Sequence, residues 1–179
     1  MVDRRAIPLA RRLIRKYKTR DPFELAAELD IEVSFRSDFK RLKGAFRVVA
    51  KNSFIFINDK LSEQMQWLVC AHELAHALLH RSLGMQKNGL MEFEIFDITS
   101  QTEYDANVFA SALLLDDEEL MDYLHDGYDV VQIARVMGTN VNLVLLKLNE
   151  MNKQGYDFNL PYTPTRNFLG TIDDDAGHL

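Results

Sequence analysis

The sequence predicts an α+β fold, a small twisted β-sheet beside one buried helix with a mostly helical C-terminal part. Three observations carry this. Residues 31 to 57 hold three short runs rich in β-branched and aromatic residues. Residues 61 to 80 contain no Gly or Pro, and their apolar side chains cover most of a helical circumference. Residues 100 to 153 then repeat capping signals followed by helical periodicity.

Taken in order, Ile7, Leu9, Ala10, Leu13, Ile14 and Tyr17 share one face of a helix over residues 3 to 19, with arginines opposite. Asp21, Pro22 and Glu24 supply a cap, a proline at the first helical position and an acidic first turn, so a helix runs from 22 to about 29. Ile31, Val33 and Phe35 alternate with polar residues as one short strand. Gly44 to Ala50 and Ser53 to Ile57 are β-rich runs around Lys51-Asn52, the length and chemistry of a hairpin turn. The helix from Leu61 to His80 is buried almost all round. Residues 82 to 99, with Gly84 and Gly89, suggest a loop followed by an edge strand from Leu90 to Phe96. Ser100 and Glu103 form a capping box ahead of a helix to about Leu115, and Asp116 and Glu119 repeat the signal for a helix to about Leu124. Two more helices, 129 to 137 and 141 to 153, split at Gly138-Thr139-Asn140. The chain thus divides into a single domain over residues 1 to 155 and an extended or disordered acidic tail over 156 to 179.

Composition narrows the function classes. A hydrophobic share of 47% and a charged share of 27% are those of an ordinary globular protein. No apolar run reaches the roughly 18 residues of a membrane span, and Met1-Val2-Asp3-Arg4-Arg5 leads into no signal-peptide core, so no membrane partner and a cytoplasmic location are expected. The single cysteine, Cys70, excludes an intramolecular disulfide and fits a reducing compartment as a small buried residue. Residues 1 to 51 carry 14 Lys and Arg against 7 Asp and Glu, and residues 52 to 179 carry 7 against 20. The basic third is a solvated amphipathic helix in preference to a nucleic-acid footprint, because the acidic remainder repels phosphate. Direct nucleic-acid binding is not expected.

The chemistry sits in His72-Glu73-Leu74-Ala75-His76. Residues four apart on a helix lie about 40° apart around the axis and roughly 6 Å along it, so His72 and His76 can aim ring nitrogens at one ion. Glu73 cannot easily ligate the same ion but can take a proton from a water in the open coordination position. The alternative, two core histidines on a buried helix hydrogen-bonded to the sheet, is the lesser one, because a His-Glu-x-x-His pattern rarely arises by chance in a chain of this size. His80 is excluded as a third ligand, since eight helical residues place it about 12 Å from His72; it is a supporting or structural group. The third ligand therefore comes from the next helix, where Glu103 and Asp105 are the acidic candidates. Glu103 is preferred, although its role in the capping box would use the same carboxylate. Ala106, Phe109, Ala110, Leu113 and Leu114 form an apolar face able to pack that helix on the His72 helix. Asn107, four residues after Glu103, is placed to orient a zinc-bound imidazole by hydrogen bond.

The run Cys70-Ala71-His72-Glu73-Leu74-Ala75-His76-Ala77-Leu78-Leu79-His80, followed by Glu103-Tyr104-Asp105-Ala106-Asn107-Val108-Phe109-Ala110, resembles the ImmA/IrrE family of metallo-endopeptidases over about residues 20 to 125. The lead-in Phe54-Ile55-Phe56-Ile57-Asn58 is similar too. Asp116, where many relatives have proline, departs from the pattern. The resemblance implies a zincin-like fold, a Zn2+ cofactor held by His72, His76 and Glu103, and Glu73 as catalytic base. It further implies a protein substrate, a helix-turn-helix repressor of a prophage or mobile element that is cleaved to relieve repression. Tyr104, Tyr123 and His125 are the candidates for a protonated group assisting the oxyanion. Ser53 to Ile57 is expected to be the sheet edge that receives substrate as an added strand.

Two rival classes remain. A catalytically silent zincin-like module that binds DNA or a repressor draws on Gln132 to Asn140, which begins like a helix-turn-helix, with Ala134, Gly138 and Val144 at suitable intervals. Lys147 breaks that register, and two packed helices with a Gly turn explain the segment more simply. A purely structural zinc scaffold has no need of Glu73.

Overall fold

A computed structural model of the chain describes residues 5–86, 90–92 and 100–160. Helix α1 (Ala6–Tyr17) buries Ala6, Ala10 and Leu13 and packs against α5 (Gln101–Leu114). Its Arg11 pairs at 2.8 Å with Asp117 at the start of α6 (Asp117–His125), so part of the basic face is neutralised by the acidic half of the chain. Helix α2 (Pro22–Glu28) starts where expected, with Asp21 accepting from the backbone N–H of Phe23 at 2.8 Å and of Glu24 at 3.3 Å.

The sheet has the strand order β1-β3-β2-β4, formed by β1 (Ile31–Arg36), β2 (Gly44–Val49), β3 (Asn52–Asn58) and β4 (Leu90–Glu92). β1 runs parallel to β3, while β2 is antiparallel to both β3 and β4. This corrects the expectation that Ser53 to Ile57 is an edge. β3 is central, both rows of its backbone groups engaged by β1 and β2, and so it has no free row to offer a peptide. Among the described residues the edges are β1 and β4. The expected edge strand is present over Leu90–Glu92, and its expected continuation to Phe96 lies outside the described residues.

The hairpin turns one residue earlier than Lys51-Asn52. Val49 pairs with Asn52, and the turn residues Ala50 and Lys51 take φ values of 48° and 73°. A left-handed conformation at a residue with a Cβ costs about 1 kcal/mol. It is accepted because this register sets Phe46 opposite Ile55 and Gly44 opposite Ile57, all four buried. Core packing outweighs the turn preference of Asn52.

Helix α3 (Glu63–Leu79) is capped by Ser62 and is buried without a break from Leu68 to Ala77. It lies between the sheet and α5. α5 is itself buried from Asp105 to Leu113, a wider burial than its apolar face predicts, because α1 and α8 (Val141–Asn152) pack on it as well as α3. Lys147 finds its reason here. It is buried, donates to the Leu115 carbonyl at 3.2 Å at the C-terminal end of α5, and pairs with Asp117. Helix α7 (Val130–Val136) opens on a full capping box between Asp129 and Gln132 and leads through Gly138 (φ 60°) into α8. Nine residues of α8 are buried, so it is a core helix packed on α5 rather than one presented to a groove.

Asp116, at the departure from the proline pattern, is the N-cap of α6. Its carboxylate caps α6 through the N–H groups of Glu118 at 2.9 Å and Glu119 at 3.1 Å and pairs with Arg20, which also donates to the Leu113 carbonyl at 2.9 Å. Between α8 and residue 160 the described residues form no further helix or strand, yet residues 156–160 dock. The Asn152 side chain donates to the Phe158 carbonyl at 3.0 Å and accepts from the Phe158 N–H at 2.8 Å, and Phe158 and Leu160 pack against the core. The remainder of the expected tail, 161 to 179, lies outside the described residues. Among the described residues no helix is long and apolar enough to cross a membrane.

Candidate metal centre

One turn of α3 separates His72 from His76, and their Nε2 atoms lie 3.0 Å apart with the rings edge to face. Glu103, in the first turn of α5, brings Oε2 to 3.1 Å from His72 Nε2 and 3.4 Å from His76 Nε2. Among the described residues these three form a group able to hold a metal ion. The two roles foreseen for Glu103 are divided between its atoms. Ser100 Oγ accepts from the Glu103 backbone N–H at 3.2 Å and starts the helix, while the carboxylate turns to the histidines and leaves the reciprocal half of the capping box unmade.

Each imidazole is held on its far side. His72 Nδ1 lies 3.0 Å from Asn107 Oδ1, one turn along α5 from Glu103, and His76 Nδ1 lies 3.1 Å from His80 Nδ1. Burial drives the His76 pKa down to about 4, against the pull of Glu103, so the ring is neutral at neutral pH. Burial also works against the Glu103 carboxylate, but the facing imidazoles of His72 and His76 outweigh it and hold the carboxyl below its ordinary range.

This donor set fits a divalent metal. With its Nδ1–H given to Asn107, neutral His72 has only a lone pair at Nε2, facing the Nε2 of His76 and a carboxylate oxygen. Such atoms repel at 3.0–3.4 Å unless a cation lies between them. Ligands about 2.0–2.2 Å from a tetrahedral zinc stand roughly 3.3–3.5 Å from one another, and two His with one carboxylate and an open fourth position is a catalytic zinc donor set.

Glu73 is fully buried, at the point where α3 crosses β2. A Cβ on Gly44 would stand 2.6 Å from Glu73 Oε1 and 2.5 Å from Val69 Cγ1, so only glycine lets the carboxylate lie this close to the strand. Sequence reasoning passed over Gly44, although a glycine inside a strand pattern is the usual mark of such a close approach. It also left His80 without a definite partner, and the structure sets it between His76 and Asp105.

Of the candidates for an assisting group, Tyr104 and Tyr123 direct their hydroxyls to glutamates other than Glu103. Tyr104 directs its hydroxyl to Glu150, and Lys153 Nζ donates to that hydroxyl at 2.5 Å; burial, helped by Glu150, pushes its pKa to about 12. The Tyr123 hydroxyl donates to Glu119 at 3.1 Å. His125 lines a cavity with Met121, Tyr128, Leu148 and Phe158.

A helix carrying two histidines one turn apart, backed by a small mixed sheet and joined by a carboxylate from the next buried helix, defines a zincin-like α+β protein with a group able to hold a metal ion. The model of a peptidase family, described as the IrrE N-terminal-like domain, matches residues 26–149, and the chain belongs to that family. It is also 34% identical, over 136 residues, to the uncharacterized immunity region protein 2 of Bacillus phage phi105, a match that covers 76% of this chain and 84% of the relative.

Proposed function

We propose that this protein is a cytoplasmic zinc-dependent endopeptidase, with His72, His76 and Glu103 holding the metal, Asn107 orienting His72 and Glu73 serving as general base. The observation that carries the reading is the convergence of two imidazole nitrogens and a carboxylate oxygen within 3.0–3.4 Å, beside a fully buried Glu73. Zinc bound there would supply Lewis acidity to the attacking water and the scissile carbonyl. Glu73 takes the proton from that water as its oxygen adds to the carbonyl carbon, then returns it to the amine as the C–N bond breaks. Asn107 keeps the proton of His72 on Nδ1, which leaves Nε2 as the ligand atom.

The substrate proposed is a helix-turn-helix repressor of a prophage or mobile element. The relative's place in a phage immunity region supports it. So does charge, since the excess of 20 acidic over 7 basic residues across positions 52 to 179 attracts a basic DNA-binding partner. The deciding experiment compares Glu73→Gln with the parent, both zinc-loaded, on the repressor encoded nearest the gene. The variant keeps the side chain's shape and removes the base, so fold and zinc content stay while cleavage falls by about 10²- to 10⁴-fold. Relief of repression by Glu73→Gln equal to that by the parent would show that the protein acts by binding, and proteolysis would be discarded.

A further inference from the structure

We infer that His80 and Asp105 are positioning residues for the metal, a two-residue relay that fixes which nitrogen of His76 carries its proton. The inference rests on the reading of His76 as a ligand. His80 ends α3 as its C-cap, with its backbone N–H still bonded to the His76 carbonyl at 2.9 Å. The chain then turns into the short helix α4 (Arg81–Gly84), whose Arg81 binds the Lys51 carbonyl and Ser53 and whose Gly84 seats against Phe46, leaving no room for a Cβ. That turn sets the His80 ring beside His76 rather than a further helical turn away from it.

The protons can be placed from the partners. Asp105 is buried in α5, receives the Gln101 side-chain N–H at 2.7 Å on Oδ1, and presents Oδ2 at 3.9 Å to His80 Nε2. A carboxylate facing Nε2 favours the tautomer with its proton there and its lone pair on Nδ1. That atom lies 3.1 Å from His76 Nδ1 and so accepts its N–H. The lone pair of His76 is then confined to Nε2, the atom that faces His72 and Glu103. α5 therefore supplies a ligand in Glu103, a direct hold on His72 through Asn107, and an indirect hold on His76 through Asp105 and His80.

The test measures zinc affinity of the full chain by chelator competition, alongside melting temperature in excess chelator. His80→Ala removes the acceptor and should weaken zinc binding by about 10- to 100-fold, the usual effect of losing an orienting partner. His80→Asn places an amide oxygen near the position of Nδ1 and should recover most of that loss. Asp105→Asn should weaken zinc binding by several-fold when His80 is present and have no effect beside His80→Asn, because the relay is then already cut. Tight zinc binding by His80→Ala, failure of His80→Asn to rescue, or an Asp105→Asn effect equal in both backgrounds would each overturn the relay. Should His80→Ala not fold, His80→Asn and its double variant with Asp105→Asn still decide the matter. A parent that binds no zinc would remove the metal reading and the relay with it. A parent that binds zinc with every variant equal to it would remove the relay alone.

Discussion

Glu103 shows how far single residues could be read without coordinates. Its place three after Ser100 fits a helix cap, and its place one helix after His-Glu-x-x-His fits a ligand; sequence alone assigns one carboxylate to both. The structure has the backbone N–H take the cap and the carboxylate take the histidines. Glu103→Ala should therefore leave α5 formed while zinc affinity drops by more than the roughly 10- to 100-fold of an orienting residue. Circular dichroism and chelator competition on the same sample check both halves. If Glu103→Ala binds zinc as tightly as the parent and Asp105→Ala does not, the third ligand is Asp105. The placement of His72, Glu73 and His76 on one helix, and of Asn107 one turn from Glu103, could be read from sequence because those relations are local, one or four residues along a helix. Gly44 and the His80–Asp105 contact could not, because each depends on how two elements meet.

At the scale of elements, helix starts were legible to within a residue or two where a Ser or Asp cap was read before them, as at Asp21, Ser100 and Asp116. Strand order was not, since alternation of side chains says which face is buried and nothing about which strand lies beside which. The β2–α3 contact yields a sharp prediction. Gly44→Ala puts a methyl group into Val69 and Glu73, and overpacking of this kind costs about 1–3 kcal/mol. Adding Val69→Ala should recover most of the melting temperature but not peptidase activity, because the clash with Glu73 Oε1 persists. Equal recovery of both would mean that Gly44 serves packing alone. The α5–α8 contact yields another. Lys147→Met leaves the Leu115 carbonyl without its donor, while Asp117 keeps Arg11, so a loss of about 1–3 kcal/mol is expected in urea unfolding. A more stable variant would show that dehydrating the lysine outweighs its two contacts.

Across the whole molecule the expected boundary between domain and tail needs a finer placement. Lack of apolar periodicity after Gly155 suggested an extended or disordered segment, and periodicity cannot detect a chain that docks through two side chains and one amide. Phe158 and Leu160 pack on the core and Asn152 closes two hydrogen bonds onto Phe158. Partial burial of two such side chains is worth about 2–3 kcal/mol at the usual value per apolar area. Truncation after Tyr156 should therefore lower the melting temperature by several degrees relative to truncation after Leu160. Zinc content should be the same in both, because the proposed ligands sit on α3 and α5 while Phe158 is held from the end of α8. Calorimetry and metal analysis of the two truncations answer separate questions. Equal melting temperatures would mean that residues 157–160 add nothing to stability. Loss of zinc after Tyr156 would mean that the C-terminal segment reaches the metal centre through α8 and α5, and the domain would then extend past residue 155.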